Sequence, residues 1–254
     1  MAKPELEFFN TEAIPWEPIK NSPGQYEKIL SRDPKTGSHT RLLLSEPDFE
    51  KCISSEEKSS ARVMCHKDMW EEVFVLSGTG FGVSLNKTFK NKTYQAGYYA
   101  CRPPGMKHGP FLHPTGAVCF EIRTRAKMAK PELEFFNTET IPWKPIKNSP
   151  GRYEKILSRD PKTGSHTRLL LSEPDFEKCI SSEEKSSARV MCHKDMWEEV
   201  FVLSGTGFGV SLNKTFKNKT YQAGYYACRP PGMKHGPFLH PTGAVLLEVR
   251  MKIE

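Results

Sequence analysis

The sequence predicts an all-β protein made of two like domains, and three observations carry that reading. The first is an internal repeat. Met1 matches Met128, and the offset of 127 residues runs without a gap to the end of the 254-residue chain, with ten paired positions differing. The second is punctuation: short apolar runs alternate with clusters of Gly, Pro, Asn and Asp at close spacing. The third is the scarcity of long stretches with a 3.6-residue apolar period.

The repeat sets the domain organisation. Three differing pairs lie early (Ala13/Thr140, Glu17/Lys144, Gln25/Arg152), and the other seven lie between Cys119/Leu246 and Lys127/Glu254. A repeat of this length can bury a core of its own, unlike a solenoid unit that depends on neighbours. Two domains are therefore expected, 1–127 and 128–254. No Gly/Ser-rich linker separates them, so the repeats are expected to pack against each other within the chain. Near-identity of this degree marks a recent duplication or an engineered tandem.

Within one repeat, TRLLLSE, ARVMCHK, EEVFVLSG, GFGVSL, KTYQAGYYACR and GAVCFEIR read as strands, with turns at DPKTG, SGTG, LNKTFKNK, PPG and HPTG. Many short strands at this spacing argue for an antiparallel sandwich or barrel. EPDFEKCISSEEKSS (46–60) is the stretch that suits a helix or an ordered loop. The opening PELEFFNTEAIPW has the apolar content of an edge strand that crosses to the partner domain.

Composition narrows the function classes. The chain is 37% hydrophobic, and no apolar run reaches membrane length. The start, MAKPELEFFN, lacks the apolar core of a signal peptide, so a cytoplasmic protein without a membrane partner is expected. Seven cysteines, an odd number, fit free thiols better than a disulfide framework. Leu246 stands where the first repeat has Cys119, which marks that thiol as a core hydrophobe. The net charge of +7 is scattered apart from NKTFKNKT (86–93), and no aromatic–basic stripe accompanies it. No nucleic-acid partner is expected.

Two fragments of each repeat carry chemistry. In GYYACRPPGMKH, Gly97 opens a strand, a Pro-Pro-Gly turn reverses the chain, and His108 enters the next strand in a fixed register. In CHKDMWEEVFVLSG, Glu71 stands directly before an apolar strand, where an unpaired buried carboxylate would be costly. Imidazole and carboxylate converging from separate strands can hold a divalent metal and leave coordination positions open.

These fragments resemble the two motifs of the cupin superfamily, G-x5-HxH-x3-4-E-x6-G and G-x5-PxG-x2-H-x3-N. The second matches through His108, with Leu112 in place of the final asparagine; the first matches in part. More narrowly, the chain is similar to ChrR-like cupins along IPWEPI (14–19), PGQYEKILSRDPKTG (23–37), WEEVFVLSG (70–78), RPPGMKHGPF (102–111) and GAVCFEIR (116–123). The resemblance implies two tandem cupin barrels of the double-stranded β-helix, or jelly-roll, type. It also implies a small-molecule substrate and a divalent metal, Fe(II) favoured, with Zn, Ni or Mn accepted by the same ligands. A homo-oligomer is compatible with it.

Counting back from Gly78 places Glu71 at the family's ligand glutamate, with Glu72 as its solvated neighbour. An ungapped comparison puts Cys65 and Lys67 where two histidines belong, and His66 between them. Because strand side chains alternate, a regular strand cannot turn both His66 and Glu71 inward, whereas a bulged one can. Three readings follow. With a bulge, His66, Glu71 and His108 bind metal, with Asp68 as a further candidate; the second repeat offers His193, Glu198, His235 and Asp195. Without one, Cys65 and Lys67, or Cys192 and Lys194, face the pocket beside the glutamate and histidine. In the third, metal is lost and Lys67, Glu71 and His108 act as acid, base or binding groups. Arg102 and Tyr99, with Arg229 and Tyr226, are candidate substrate contacts, and His113 is a rim candidate. Dioxygenase chemistry on a small oxygenated molecule is the leading expectation. A lyase or isomerase, and a non-catalytic metal or ligand sensor, are the alternatives.

Overall fold

The structure is a computed structural model and describes residues 2–47, 64–82, 92–174, 190–209 and 219–252. Most of the 46–60 stretch and of the basic cluster at 86–93 lie outside the described residues. The first strand, β1, is Leu6–Asn10. The rest of the first repeat supplies β2 (Glu17–Pro18), β3 (Gln25–Arg32), β4 (His39–Ser45), β5 (Met64–Cys65), β6 (Trp70–Gly82), β7 (Lys92–Gln95), β8 (Tyr98–Arg102), β9 (Lys107–His108), β10 (Phe111–Leu112) and β11 (Ala117–Thr124). The second repeat runs β12 (Leu133–Asn137), β13 (Lys144–Pro145), β14 (Arg152–Arg159), β15 (His166–Ser172), β16 (Met191–Cys192), β17 (Met196–Gly209), β18 (Lys219–Gln222), β19 (Tyr225–Arg229), β20 (Lys234–His235), β21 (Phe238–Leu239) and β22 (Ala244–Lys252). Among the described residues the helical segments are two short 3-10 turns, Thr11–Ala13 and Thr138–Thr140. Among the described residues no helix is long and apolar enough to cross a membrane.

The strands form two large antiparallel sheets, ordered β12-β8-β6-β11-β4-β3-β2 and β1-β19-β17-β22-β15-β14-β13. β7 and β10 add to the far half of β6, as β18 and β21 do to β17. Each sheet thus takes one strand from the opposite repeat. Accordingly, one compact unit gathers Ile14–Thr140, and the other gathers Ala2–Ala13 with Ile141–Glu254. The apolar opening of each repeat is the edge strand of the unit built mainly from the other repeat.

Local chemistry accounts for the turns. Between β3 and β4, Asp33 Oδ1 accepts from the N–H groups of Lys35 (2.9 Å) and Thr36 (3.3 Å), and Gly37 adopts φ +73° to close the hairpin. The SGTG segment behaves differently from the expected turn. β6 runs straight through it, because Gly78 (φ +80°) sits beside a register shift opposite Val118 and Cys119. The strand is bent there rather than reversed, and its two halves serve different sets of partners. The core of the first unit is Val73, Val75, Tyr94, Ala100, Cys119 and Phe135. Cys119 is a core hydrophobe as its leucine counterpart suggests, and burial pushes its thiol up to about 12.

Candidate metal centre

In an antiparallel ladder, directly paired residues share a face. Glu71 on β6 pairs with Arg102 on β8 and with Arg123 on β11, so all three project together. Glu121, two residues before Arg123, pairs in turn with Arg41 on β4. The result is a row of alternating charges, buried except for the half-buried Arg123. Arg102 Nη1 donates to Glu71 Oε2 at 2.7 Å, Arg123 Nη2 to Glu71 Oε1 at 3.0 Å, Arg123 Nε reaches Glu121 at 2.9 Å, and Arg41 Nε donates to Glu121 at 2.7 Å.

The Pro-Pro-Gly turn delivers both histidines to this row. Gly105, at φ +83°, donates its N–H to the carbonyl of His66 at 2.8 Å. The flanking two-residue ladder pairs Met64 with His108 and Cys65 with Lys107. Cys65 and Lys107 are exposed, so the alternate positions, His66 and His108, turn inward. The chain then bends at Lys67–Asp68 before β6 begins at Trp70. That break in the strand lets His66 and Glu71, five residues apart in sequence, reach the same point. His66 Nε2 stands 3.1 Å from Glu71 Oε1, and His108 Nε2 stands 3.1 Å from Glu71 Oε2. The donor atoms of all three residues lie within 4.8 Å of one another, as do those of His193, Glu198 and His235 in the second unit.

The donor set fits a divalent cation. His108 Nδ1 lies 3.1 Å from the Met106 carbonyl, which can only accept, so Nδ1 carries the proton and Nε2 keeps its lone pair. His235 is held in the same way by Met233 at 3.1 Å. The Nε2 atoms of His66, His108, His193 and His235 are buried without a hydrogen-bond partner, and so is Glu198 Oε2. Buried ring nitrogens that face one another and a carboxylate in this way suit a shared cation. Burial alone would raise the Glu71 carboxyl, but the positive charges of the Arg102 and Arg123 guanidinium groups beside it hold it well below the usual carboxylate range. Burial, assisted by Arg250 and His235, lowers the His193 imidazole against the opposing pull of Glu198 and Glu248, which favours its neutral, ligating form.

Several sequence candidates stand elsewhere. Cys65, Lys67 and Asp68, with Cys192, Lys194 and Asp195, are exposed and outside the cluster, because the short ladder and the bend turn them away. Asp68 pairs with Arg125, and Asp195 lies 3.4 Å from Lys252 Nζ. Arg102 is at the cluster but buried, with its nitrogens committed to Glu71 and Glu134, and Arg229 is likewise committed to Glu7; neither presents a free edge to a substrate. Tyr99 and Tyr226 lie on the opposite face of the ladder. They donate to Glu72 and Glu199, which also meet Lys130 (2.5 Å) and Lys3 (2.6 Å). Glu72 is therefore a buried ion-pair member, contrary to its expected solvation. His113 pairs with the Tyr94 hydroxyl at 2.9 Å and is not part of the His66–Glu71–His108 cluster.

The arginines Arg123 and Arg250 and the exchanged acids Glu134 and Glu7 were not singled out from sequence. The charged residues at alternate positions in the apolar strand GAVCFEIR were the available signal for Arg123 and Glu121.

No family model matches the chain, and no curated protein matches it. Solved structures do. A candidate dioxygenase from Nostoc punctiforme matches with a TM-score of 0.69 at 13% identity, over 98% of this chain and 83% of that one. A cupin 2 conserved barrel domain protein from Leptotrichia buccalis matches with a TM-score of 0.58 at 12% identity, over 98% of both chains. The oxalate decarboxylase of Lactobacillus farciminis matches with a TM-score of 0.61 at 11% identity, over 98% and 86%. At such identities the likeness is one of fold, and the fold of this chain is that of cupin proteins.

Proposed function

We propose that the chain is a bicupin, with two barrels that each bind one divalent metal, and that it acts as a metal-dependent enzyme on a small oxygenated organic molecule. The observation that carries this reading is the convergence of two imidazole Nε2 lone pairs on an ionised carboxylate, repeated in both units. His66, Glu71 and His108 would hold the metal in the first unit, and His193, Glu198 and His235 in the second. Two histidines and one carboxylate with open positions suit Fe(II) and oxygen chemistry, and the same set also accepts zinc. A bound metal supplies a Lewis acid that activates a chelating hydroxyketone or diketone.

The protein's own groups prepare that site. The Met106 carbonyl fixes the His108 tautomer, while Arg102 and Arg123 keep Glu71 ionised and aimed at the histidines. Phe111, with its ring 6.0 Å from that of His108, and Phe135 behind it exclude water on the core side. A metal-assisted lyase is the second reading, favoured by the oxalate decarboxylase among the structural neighbours.

Purified protein is expected to carry about one divalent metal per unit, on the stoichiometry of one cation per donor set. His108→Ala should halve the content, and His108→Ala with His235→Ala should abolish it. Metal analysis that finds none in the parent protein sinks the proposal. Oxygen uptake with diketone substrates then separates the two enzyme readings, since a lyase consumes none.

A further inference from the structure

Each candidate centre leans on a carboxylate that the opposite repeat supplies. In the first unit, β12 pairs with β8 through Leu133–Cys101 and Phe136–Tyr99, so two residues of β12, Glu134 and Phe135, oppose the single Ala100. This bulge lets neighbouring residues reach inward together. Phe135 stacks on Tyr94 at 4.0 Å, and Glu134 takes hold of Arg102, with Oε1 2.5 Å from Nη2 and Oε2 3.2 Å from Nε. The second unit repeats the device with the start of the chain. Leu6–Cys228 and Phe9–Tyr226 bracket Glu7 and Phe8, and Glu7 holds Arg229 at 2.5 and 3.3 Å.

The two units differ at the other end of the guanidinium. Arg102 Nη1 is 2.7 Å from Glu71 Oε2, whereas Arg229 Nη1 is 3.5 Å from Glu198 Oε2. The clamp on the exchanged acid is the same in both, while the grip on the ligand carboxylate varies. A bidentate acid therefore fixes the arginine and leaves only one of its nitrogens for the glutamate.

We propose that Glu134 and Glu7 are positioning residues for the two metal centres, acting through Arg102 and Arg229 on Glu71 and Glu198. By holding two guanidinium nitrogens away, each acid keeps the arginine from closing on the ligand carboxylate and competing with a cation for it. Without the acid the guanidinium turns fully onto the glutamate, and the cation is held less tightly. The centre assembled around His193, Glu198 and His235 is thus completed by residue 7 of the chain, and the centre around His66, Glu71 and His108 by a residue of the second repeat. This inference rests on the metal-binding reading above.

The test is cobalt(II) titration of the full chain, followed by its visible absorption bands. Glu134→Gln, in a His235→Ala background that silences the second centre, should weaken cobalt binding about tenfold, as loss of outer-shell partners does. It should also shift the bands at saturation. Glu7→Gln should do the same to the other centre in a His108→Ala background. Phe136→Leu, whose ring packs on Tyr99 at 5.8 Å on the opposite face of the ladder, serves as the control for strand packing: it should lower the urea midpoint and leave the saturated spectrum unchanged. A Glu134→Gln protein with parental affinity and spectrum overturns the inference while the metal reading stands. No cobalt binding by the parent protein overturns both.

Discussion

Phe8, near the start of the chain, stacks on Tyr221 with ring centroids 3.9 Å apart and planes 23° from parallel. Around this contact Thr11 donates to the Gly224 carbonyl at 2.7 Å, Glu7 grips Arg229, and Lys3 meets Glu199 at 2.6 Å. The second unit is thereby closed by a segment that precedes the entire first unit in sequence. The first unit is a continuous stretch, Ile14–Thr140, and contains all of its own strands.

Deleting residues 1–13 should therefore damage one unit and spare the other. Removing one partner of a buried ion pair costs about 3–5 kcal/mol, and this deletion removes two such partners together with an aromatic stack. Metal content should fall to half, with the loss confined to the centre at His193, Glu198 and His235. Urea unfolding should gain an early transition that the parent protein lacks. Equal loss from both centres, checked in His108→Ala and His235→Ala backgrounds, would contradict the exchange.

Much of the convergence of His108 and Glu71 was legible before the structure. His108 follows from the Pro-Pro-Gly spacing, Glu71 from its distance to Gly78, and the crossing strand from the apolar start of the repeat. The orientation of His66 was not, because a long-range feature decides it: the pairing of β5 with β9 and the Gly105 N–H bond to the His66 carbonyl. Nor could local sequence foresee Glu72 buried beside Tyr99 and Lys130, since Lys130 arrives from the opposite repeat. A strand-opening Glu-Glu pair reads as one residue in and one out. Here both faces of the strand are buried at that point, and the second carboxylate is satisfied by groups remote in sequence.

The bend at Lys67–Asp68 makes a sharp statement about its neighbours. Cys65→Ser, Lys67→Met and Asp68→Asn should each keep full metal content, because all three side chains are exposed and outside the cluster. Asp68→Asn removes a surface ion pair with Arg125, a change worth roughly 0–1 kcal/mol. Glu71→Gln should lose the metal of the first unit. Metal loss in Lys67→Met or Cys65→Ser would restore the unbent strand register.

Gly78 is required for a different reason from Gly97, although both have positive φ. A Cβ at Gly78 would overlap the Gly116 carbonyl oxygen and stand 2.8 Å from Ala117 Cα, while one at Gly97 would meet nothing within 4 Å. Gly97→Ala should then cost only the left-handed backbone strain, about 1–2 kcal/mol. Gly78→Ala adds a backbone collision of about 1–3 kcal/mol to the same strain. Chemical denaturation of the two variants should rank them in that order, and a reversed order would refute the close approach of β6 and β11 at the bend.

Stability should also fall on mild acidification, through two histidines outside the two candidate metal clusters. Burial pushes His113 down to about 4, and burial with the nearby Arg152 does the same to His240. Each imidazole Nε2 lies 2.9 Å from a buried tyrosine hydroxyl, Tyr94 or Tyr221. Below the ordinary histidine value of 6.5 the unfolded chain takes up protons that the folded chain refuses until about 4. The folded state therefore has the full benefit above 6.5 and loses it as pH falls toward 4. The depression corresponds to about 3 kcal/mol for each residue across that window. Urea midpoints measured from pH 7 to about 4.5 should decline steeply in the parent protein, within the interval in which histidines titrate. His113→Gln with His240→Gln should start lower and decline less. If parent and variant fall in parallel, the buried neutral histidines are not the source of the acid sensitivity.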